Sequence, residues 1–471
     1  MYMKMKKIII IFLLFISINF VFADINSDLN YLQKILEQCY VNYDEECKAG
    51  FQIDNMEKKV NKYYDYLLKK NSNISDLSDK ESVFLCYAIS WGLNDCFTIK
   101  NGHLKTKYKD TACPVFLLER SYYTNIYLEK KDDKFIVFES KNNSVKKGDE
   151  YKDDKNYIKE CIYKNKKLYQ IIISSKEDIT QKKLKFNRKK ISIPCSLNTY
   201  QNDKYFFKYY NTNKSFYISI KSCPYIYDVT KNYQEEFNKL CKEIEKNNFE
   251  HLIIDLRGNT GGYSCFEYIL PRLMCKDYEN CNFDYYYNQA MLGTIKLISP
   301  VYLQSIVRYY EENFPNNSEL INSAKSDYEH NSINHKYYTG SISPALSKLP
   351  QIPSDRFNGK IFILIDKATA SEAENGIALA YLFGKEKIVL VGENTRGCFE
   401  VQNNIEYTLP NSKIHIYLGN KSTKKSTLLQ SNPKWKGELI GFEPDYWAND
   451  EQILETLKYL TNDYELENLR F

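Results

Sequence analysis

The chain is 471 residues long and poor in histidine, with only His103, His251, His330, His335 and His415. It has no CxxC pair and no compact Cys/His cluster, which disfavours a structural zinc site. Neither GxxxxGK[ST] nor GxGxxG occurs, so a phosphate-cradling loop is disfavoured as well. Charge of one sign is also lacking: the net value is +5, with lysine and acidic residues interspersed throughout. That argues against a dedicated nucleic-acid surface. Beyond the N-terminus no run is long and apolar enough to cross a membrane. No cofactor, no metal and no nucleic-acid partner are therefore expected. The 42 tyrosines, against 25 phenylalanines, reflect a general bias toward Lys, Asn, Ile and Tyr and are not a binding signal.

The N-terminus is specific. Lys4, Lys6 and Lys7 precede an unbroken apolar run from Ile8 to Ile16, and Val21-Phe22-Ala23 offers small residues for cleavage. Residues 1–23 read as a secretory signal cut after Ala23, which makes the protein exported, periplasmic or secreted. An uncleaved anchor is the other reading, although Ile8 to Ala23 is slightly short of a full span. No cysteine stands at the cut, so lipidation is not expected. Thirteen cysteines in an exported chain suggest disulfides, and the odd count leaves at least one over. Cys39 with Cys47, and Cys275 with Cys281, are near enough in sequence to pair.

Length alone implies two or three domains. Residues 24–105 read as helical: Leu32, Ile35, Leu36 and Cys39 follow helical spacing, as do Val60, Tyr63, Tyr64 and Leu67. Val83 to Leu93 is a third candidate helix, and Asn101-Gly102-His103 is a turn. Residues 106–210 alternate as strands do, for example at Asn125 to Leu128, Phe135 to Phe138, Tyr169 to Ile173 and Lys190 to Ile193. Residues 211–471 change texture, running strand, amphipathic helix, then the near-continuous apolar strand His251 to Leu256 of a sheet buried on both faces. A glycine turn and a helix follow, and the pattern resumes at Ile361. Between them, 277–355 is a Tyr- and Asn-rich insertion, usually a lid or an exposed excursion.

Ser371 lies at the turn between the apolar strand Ile361 to Ile365 and a helix-like segment. An exposed nucleophile belongs at such a turn, yet serine is also a common helix N-cap. Glycines placed straight after a buried strand let backbone amides approach a ligand. One amide from Gly261 or Gly262 and one from Glu372 would make a two-donor oxyanion hole.

Four ordered motifs resemble those of the C-terminal processing, or tail-specific, serine proteases. Leu252 to Gly262 looks like LxxDLRxNxGG, Thr369 to Glu374 like TASxxE, Val391 to Gly397 like VGExTxG, and Gly441 to Asp445 like GxxPD. The resemblance implies an α/β, ClpP/crotonase-like protease domain, preceded by a helical region and a degenerate PDZ-like β-rich domain. Val145 to Asp149 and Lys183 to Pro194 carry the PDZ-like likeness, and Asn101-Gly102-His103 is similar to an element preceding that domain. The resemblance also implies Ser371 as the nucleophile, polypeptides as substrates, and a lysine just after VGExTxG. That lysine is replaced here by Cys398. Some members without it are thought to use histidine and acidic residues, which makes His103 the candidate base. Glu374, three residues beyond Ser371 on the same helix side, could orient a base, hold the turn, or simply be a first-turn acid. The expectation is an exported serine endopeptidase. The alternative is a catalytically inactive binding protein on the same fold.

Overall fold

The structure is a computed structural model that describes residues 25–71, 78–187, 189–198, 205–330, 336–340 and 349–468. The signal peptide expected over residues 1–23 lies outside the described residues. Among these, no helix is long and apolar enough to cross a membrane, and no group of three or more His, Cys, Asp or Glu could hold a metal ion.

The chain forms two compact units, each built from separated stretches. The first unit takes the described residues within 25–116, 293–342 and 400–424. Its helices span 25–39, Tyr43–Lys48, Ile53–Lys70, Ser78–Cys96, Pro300–Asn313 and Ser318–His330. The helix Ile53–Lys70 buries Met56, Val60, Tyr64 and Leu67, one stripe at helical spacing. Gly92 lets its helix approach closely, since a Cβ there would stand 2.6 Å from Val60 Cγ2. These helices share the unit with an antiparallel sheet in the order Tyr337–Gly340, Ile295–Ile298, His415–Ser422, Lys105–Tyr108, Thr111–Pro114. Val401–Thr408 also pairs with His415–Ser422.

This grouping differs from the linear division expected at 105, 210 and 277–355. Part of the insertion supplies two strands to the sheet that the hairpin Lys105–Pro114 completes, and 400–424 supplies two more. Backbone pairing across some 300 positions of sequence therefore draws these stretches into one unit.

The second unit holds the β-rich region and the α/β core. Residues 120–197 form an eight-stranded antiparallel sheet around Tyr122, Ile126, Leu128, Ile171, Leu184 and Phe186. The core sheet runs Phe207–Asn211, Ser215–Ile220, His251–Asp255, Ile361–Ile365, Ile388–Gly392, Tyr446–Trp447. Every neighbouring pair after the first is parallel. Its central strands send alternate residues to two apolar layers. Ile218, Leu252, Ile254, Ile361, Ile363 and Leu390 face one layer with Phe237, Leu240, Ile269 and Ile377. Tyr217, Ile253, Phe362, Leu364 and Val391 face the other with Ile453 and Leu457. This double burial is why Ile361–Ile365 carries no polar residue at all. Each fully buried side chain of that kind contributes about 1.5–3 kcal/mol. The mixed α/β organisation expected from the sequence is the one observed.

A parallel sheet delivers its strand C-termini, and the loops after them, to one edge, where ligands of such folds bind. Here those loops are 256–264, 366–371 and 393–398.

Candidate active site

The three loops are knotted together by buried polar groups of the second unit. In the first, Asp255 is buried at the end of its strand. It accepts from Arg257 Nε at 3.0 Å, Arg257 Nη2 at 2.8 Å and the Tyr217 hydroxyl at 2.7 Å. Burial opposes its ionisation, but the charges of Arg257 and Lys221 override it and hold the carboxyl well below the usual range. Asn259, fully buried, donates to Ile220 O and accepts from the Gly261 amide at 2.8 Å. Its carbonyl accepts from the Ala370 amide at 3.0 Å. The Asp-Leu-Arg and Asn-x-Gly of this motif therefore brace the loop that meets the serine turn.

The second loop is folded around Asp366. Its Oδ1 accepts from the amides of Ala368 and Thr369 and from Thr369 Oγ1, and its Oδ2 accepts from the Gly258 amide at 2.9 Å. Burial pushes this carboxyl up. Thr369 Oγ1 also lies 2.9 Å from Leu256 O. The turn ends at Ser371, half-buried, with φ +56° and ψ −117°. That conformation is rare for a residue with a Cβ and persists only where its surroundings over-determine it. The helix Glu372–Ala380 starts immediately after.

Glu374 ties the turn to the third loop. It is fully buried. Its Oε2 accepts from the Ser371 amide at 3.0 Å and the Cys398 amide at 2.8 Å. Its Oε1 accepts from the Gly397 amide at 2.7 Å and Thr395 Oγ1 at 2.5 Å. Burial raises its pKa, and the four donors pull the other way. Of the roles open to Glu374 in the sequence, this geometry matches holding the turn, because both oxygens are already engaged. Thr395 in turn anchors the last motif: its Oγ1 accepts from the Phe442 amide at 2.8 Å, and Gly441 packs against it too closely for any Cβ.

Gly261 has φ +87° and lies against the serine turn, where a Cβ would stand 2.6 Å from Ala370 O, 2.7 Å from Ser371 Cβ and 2.8 Å from Glu372 N. Its own amide is committed to Asn259, which corrects its assignment as an oxyanion donor: its part is clearance. Gly262, at φ +146°, is backed by Cys223 O, which a Cβ would approach to 2.2 Å. Among the described residues no partner takes the amide of Gly262 or of Glu372. The Glu372 amide opens the helix, where the dipole favours an anion. The Glu372 side chain turns into the core, accepting from the Cys265 amide and Asn375 Nδ2. Burial, and then the neighbouring Glu267, push its carboxyl well above the usual range.

Cys398 is buried, and burial followed by the charges of Glu374 and Glu438 pushes its thiol well up. A thiol so held is no substitute for a basic amine. Lys367, which the sequence did not single out, brings a half-buried ammonium to this region. Its Nζ donates to Thr395 O at 2.7 Å, Ile440 O at 3.3 Å and Leu439 O at 3.4 Å. Burial lowers its pKa to about 8. Only its place directly after a buried strand could have marked it. His103 belongs to the first unit, where Asn101 Oδ1 accepts from its amide at 2.9 Å.

The disulfides expected from sequence are not formed: all thirteen cysteines are free. Cys39 is fully buried beside Tyr407 and Ser299 whereas Cys47 is exposed, so these two do not pair. Cys275 and Cys281 do meet, with sulfurs 3.8 Å apart.

Residues 215–446 match the family model described as peptidase family S41. Solved structures that the chain matches include mature CPAF complexed with lactacystin, at 14% identity over 95% of this chain and 97% of that one, with a TM-score of 0.39. A putative S41 protease from Bacteroides fragilis NCTC 9343 is 14% identical over 93% of this chain and 94% of its own, with a TM-score of 0.35. A photosystem II D1 C-terminal processing protease is 9% identical over 92% and 96%, with a TM-score of 0.32. No curated protein matches.

Proposed function

The chain belongs to peptidase family S41, a family of serine-type peptidases, and on that premise we propose that Ser371 is its nucleophile. The observation that carries the assignment is the strained turn at Ser371, clamped by Glu374 and set against Gly261. Strain of this kind costs about 1–3 kcal/mol and is retained where it aims a side chain. Ser371 Oγ attacks the carbonyl carbon of a peptide bond while a base takes its proton. The amides of Glu372 and Gly262 hold the oxyanion. The amine leaves, and water then releases the acyl group from Ser371. The base is His103 on the family resemblance alone, the dyad lysine being replaced by Cys398.

The substrates are extracytoplasmic polypeptides, a reading supported by the basic and apolar N-terminal segment with Val21-Phe22-Ala23 at its end. One observation favours a second reading, a binding protein on the same fold: the buried, poorly acidic Cys398 leaves the dyad position without a base. Labelling of the purified protein with a fluorophosphonate separates the two. Labelling that disappears in Ser371→Ala establishes an activated serine, and its loss in folded His103→Ala establishes the base. Folded wild-type protein that takes no label turns the assignment to the binding protein.

A further inference from the structure

We propose that Cys86 and Cys113 are a disulfide-forming pair, which takes a small-molecule or protein disulfide as its oxidant and pins the turn carrying His103. The two residues are 27 positions apart, and their sulfurs stand 3.8 Å from each other. Cys86 is on the helix Ser78–Cys96 and is fully buried. Cys113 is on the strand Thr111–Pro114 and is 2% exposed. Cys113 sits directly opposite Thr106 across the hairpin. Cys86 lies over that cross-strand pair: its Sγ is 3.1 Å from Thr106 Oγ1, and its carbonyl accepts from the same hydroxyl at 3.0 Å. Bonding must bring these sulfurs from 3.8 Å to about 2.05 Å.

The reaction is an exchange. Cys113 is the attacking sulfur: it lies on the strand that ends the sheet, and the Cys86 thiol donates to it. Its thiolate displaces one sulfur of oxidised glutathione, giving a mixed disulfide and one glutathione. Cys86 then attacks the Cys113 sulfur, forming the Cys86–Cys113 bond and releasing the second glutathione. Two electrons pass from the protein sulfurs to the oxidant, and the two thiol protons leave on the two glutathiones. The strand Thr111–Pro114 ends its sheet, so opening at this edge gives the oxidant its path.

Between the two cysteines runs the segment with His103. Its turn is already fastened to the hairpin, since Leu104 O accepts from the Val115 amide at 3.0 Å. A bond from helix to edge strand would fix both ends of that segment. The inference rests on the proposed export for its oxidant in the cell, and the test separates the two. Purified full-length protein is equilibrated with oxidised and reduced glutathione, denatured, alkylated with N-ethylmaleimide and digested for mass spectrometry. Peptides containing Cys86 and Cys113 should be recovered as one cross-linked species, two hydrogens lighter than their sum. Cys161, buried without a sulfur neighbour among the described residues, should carry the alkyl group. The double variant Cys86→Ala/Cys113→Ala should melt lower than the oxidised wild type by roughly 5–10 °C, and no lower after reduction. Alkylation of both cysteines after oxidation, or cross-links to other cysteines, overturns the proposal. A bond that forms in glutathione but is absent from protein recovered from the producing cell upholds the pair and overturns export.

Discussion

Replacing Glu374 by Gln tests the clamp on Ser371 with almost no change of volume. The carboxylate takes four donors, two on each oxygen. An amide offers one acceptor oxygen and turns the other position into a donor. If the new NH2 replaced Oε2, it would face two backbone N–H groups, of Ser371 and Cys398, neither of which can reverse. It will therefore turn toward Oε1, where the Thr395 hydroxyl can rotate to accept. The Gly397 amide is then left buried without a partner, and the bonds to Ser371 and Cys398 lose their charge assistance. One orphaned donor costs about 1–3 kcal/mol, and a hydrogen bond to a charged group is worth about 1.5–3. The sum for Glu374→Gln is about 2–4 kcal/mol, because the surviving bonds weaken without breaking. Glu374→Ala orphans all four donors and opens a cavity, and should exceed about 5 kcal/mol.

The assay is urea unfolding alongside fluorophosphonate labelling below the transition. Loosening the turn displaces Ser371 from its aimed position, and a 1 Å misplacement costs on the order of 100-fold in rate. Glu374→Gln should therefore lose at least about tenfold in labelling while still folded. A Gln variant as stable as wild type, with unchanged labelling, would refute the reasoning.

The strain at Ser371 is backbone strain, so Ser371→Ala keeps it and Ser371→Gly releases it. The glycine variant should be the more stable by about 1 kcal/mol, after subtracting the entropy that glycine gives the unfolded chain. Equal melting temperatures for the two would show that the turn is not strained. Gly261→Ala places a methyl group within 2.8 Å of Ala370 O, Ser371 Cβ and Glu372 N. It should cost about 2–4 kcal/mol and abolish labelling of the folded fraction; normal labelling would free this contact from any role in the site. His251 Nδ1 accepts from the Lys360 amide at 3.1 Å, and burial lowers its pKa. The unfolded chain then takes up the proton first, so stability is intact above about pH 6.5 and falls as the pH drops toward the lower folded value. Urea unfolding as a function of pH should show that slope in wild type and a flatter one in His251→Gln; identical slopes would mean that His251 does not contribute.

The parallel core was legible because its signal is local. Five consecutive apolar residues at 361–365, or the apolar run ending in Asp255, need burial on both faces, and the glycines after Leu256 need a turn. The joining of 293–342 and 400–424 to the N-terminal helices was not legible, because strand partners such as Lys105 and Tyr417 are chosen by pairing in space. Lys367 was invisible for a related reason: a lysine in a turn is ordinarily solvated, and only three carbonyls arriving from two other loops hold its ammonium against the protein. Glu374 shows where the boundary lies. Its spacing from Ser371 set both on one side of a helix, and from spacing alone orienting a base, holding the turn and serving the dipole were equivalent. Donors from residues 395, 397 and 398 separate these roles. They lie more than 20 positions away, and only the convergence of two parallel strand ends brings them within 3 Å of one carboxylate. The motif Thr-x-Gly is thus better understood as the other half of the Ser371 turn than as the flank of a missing lysine.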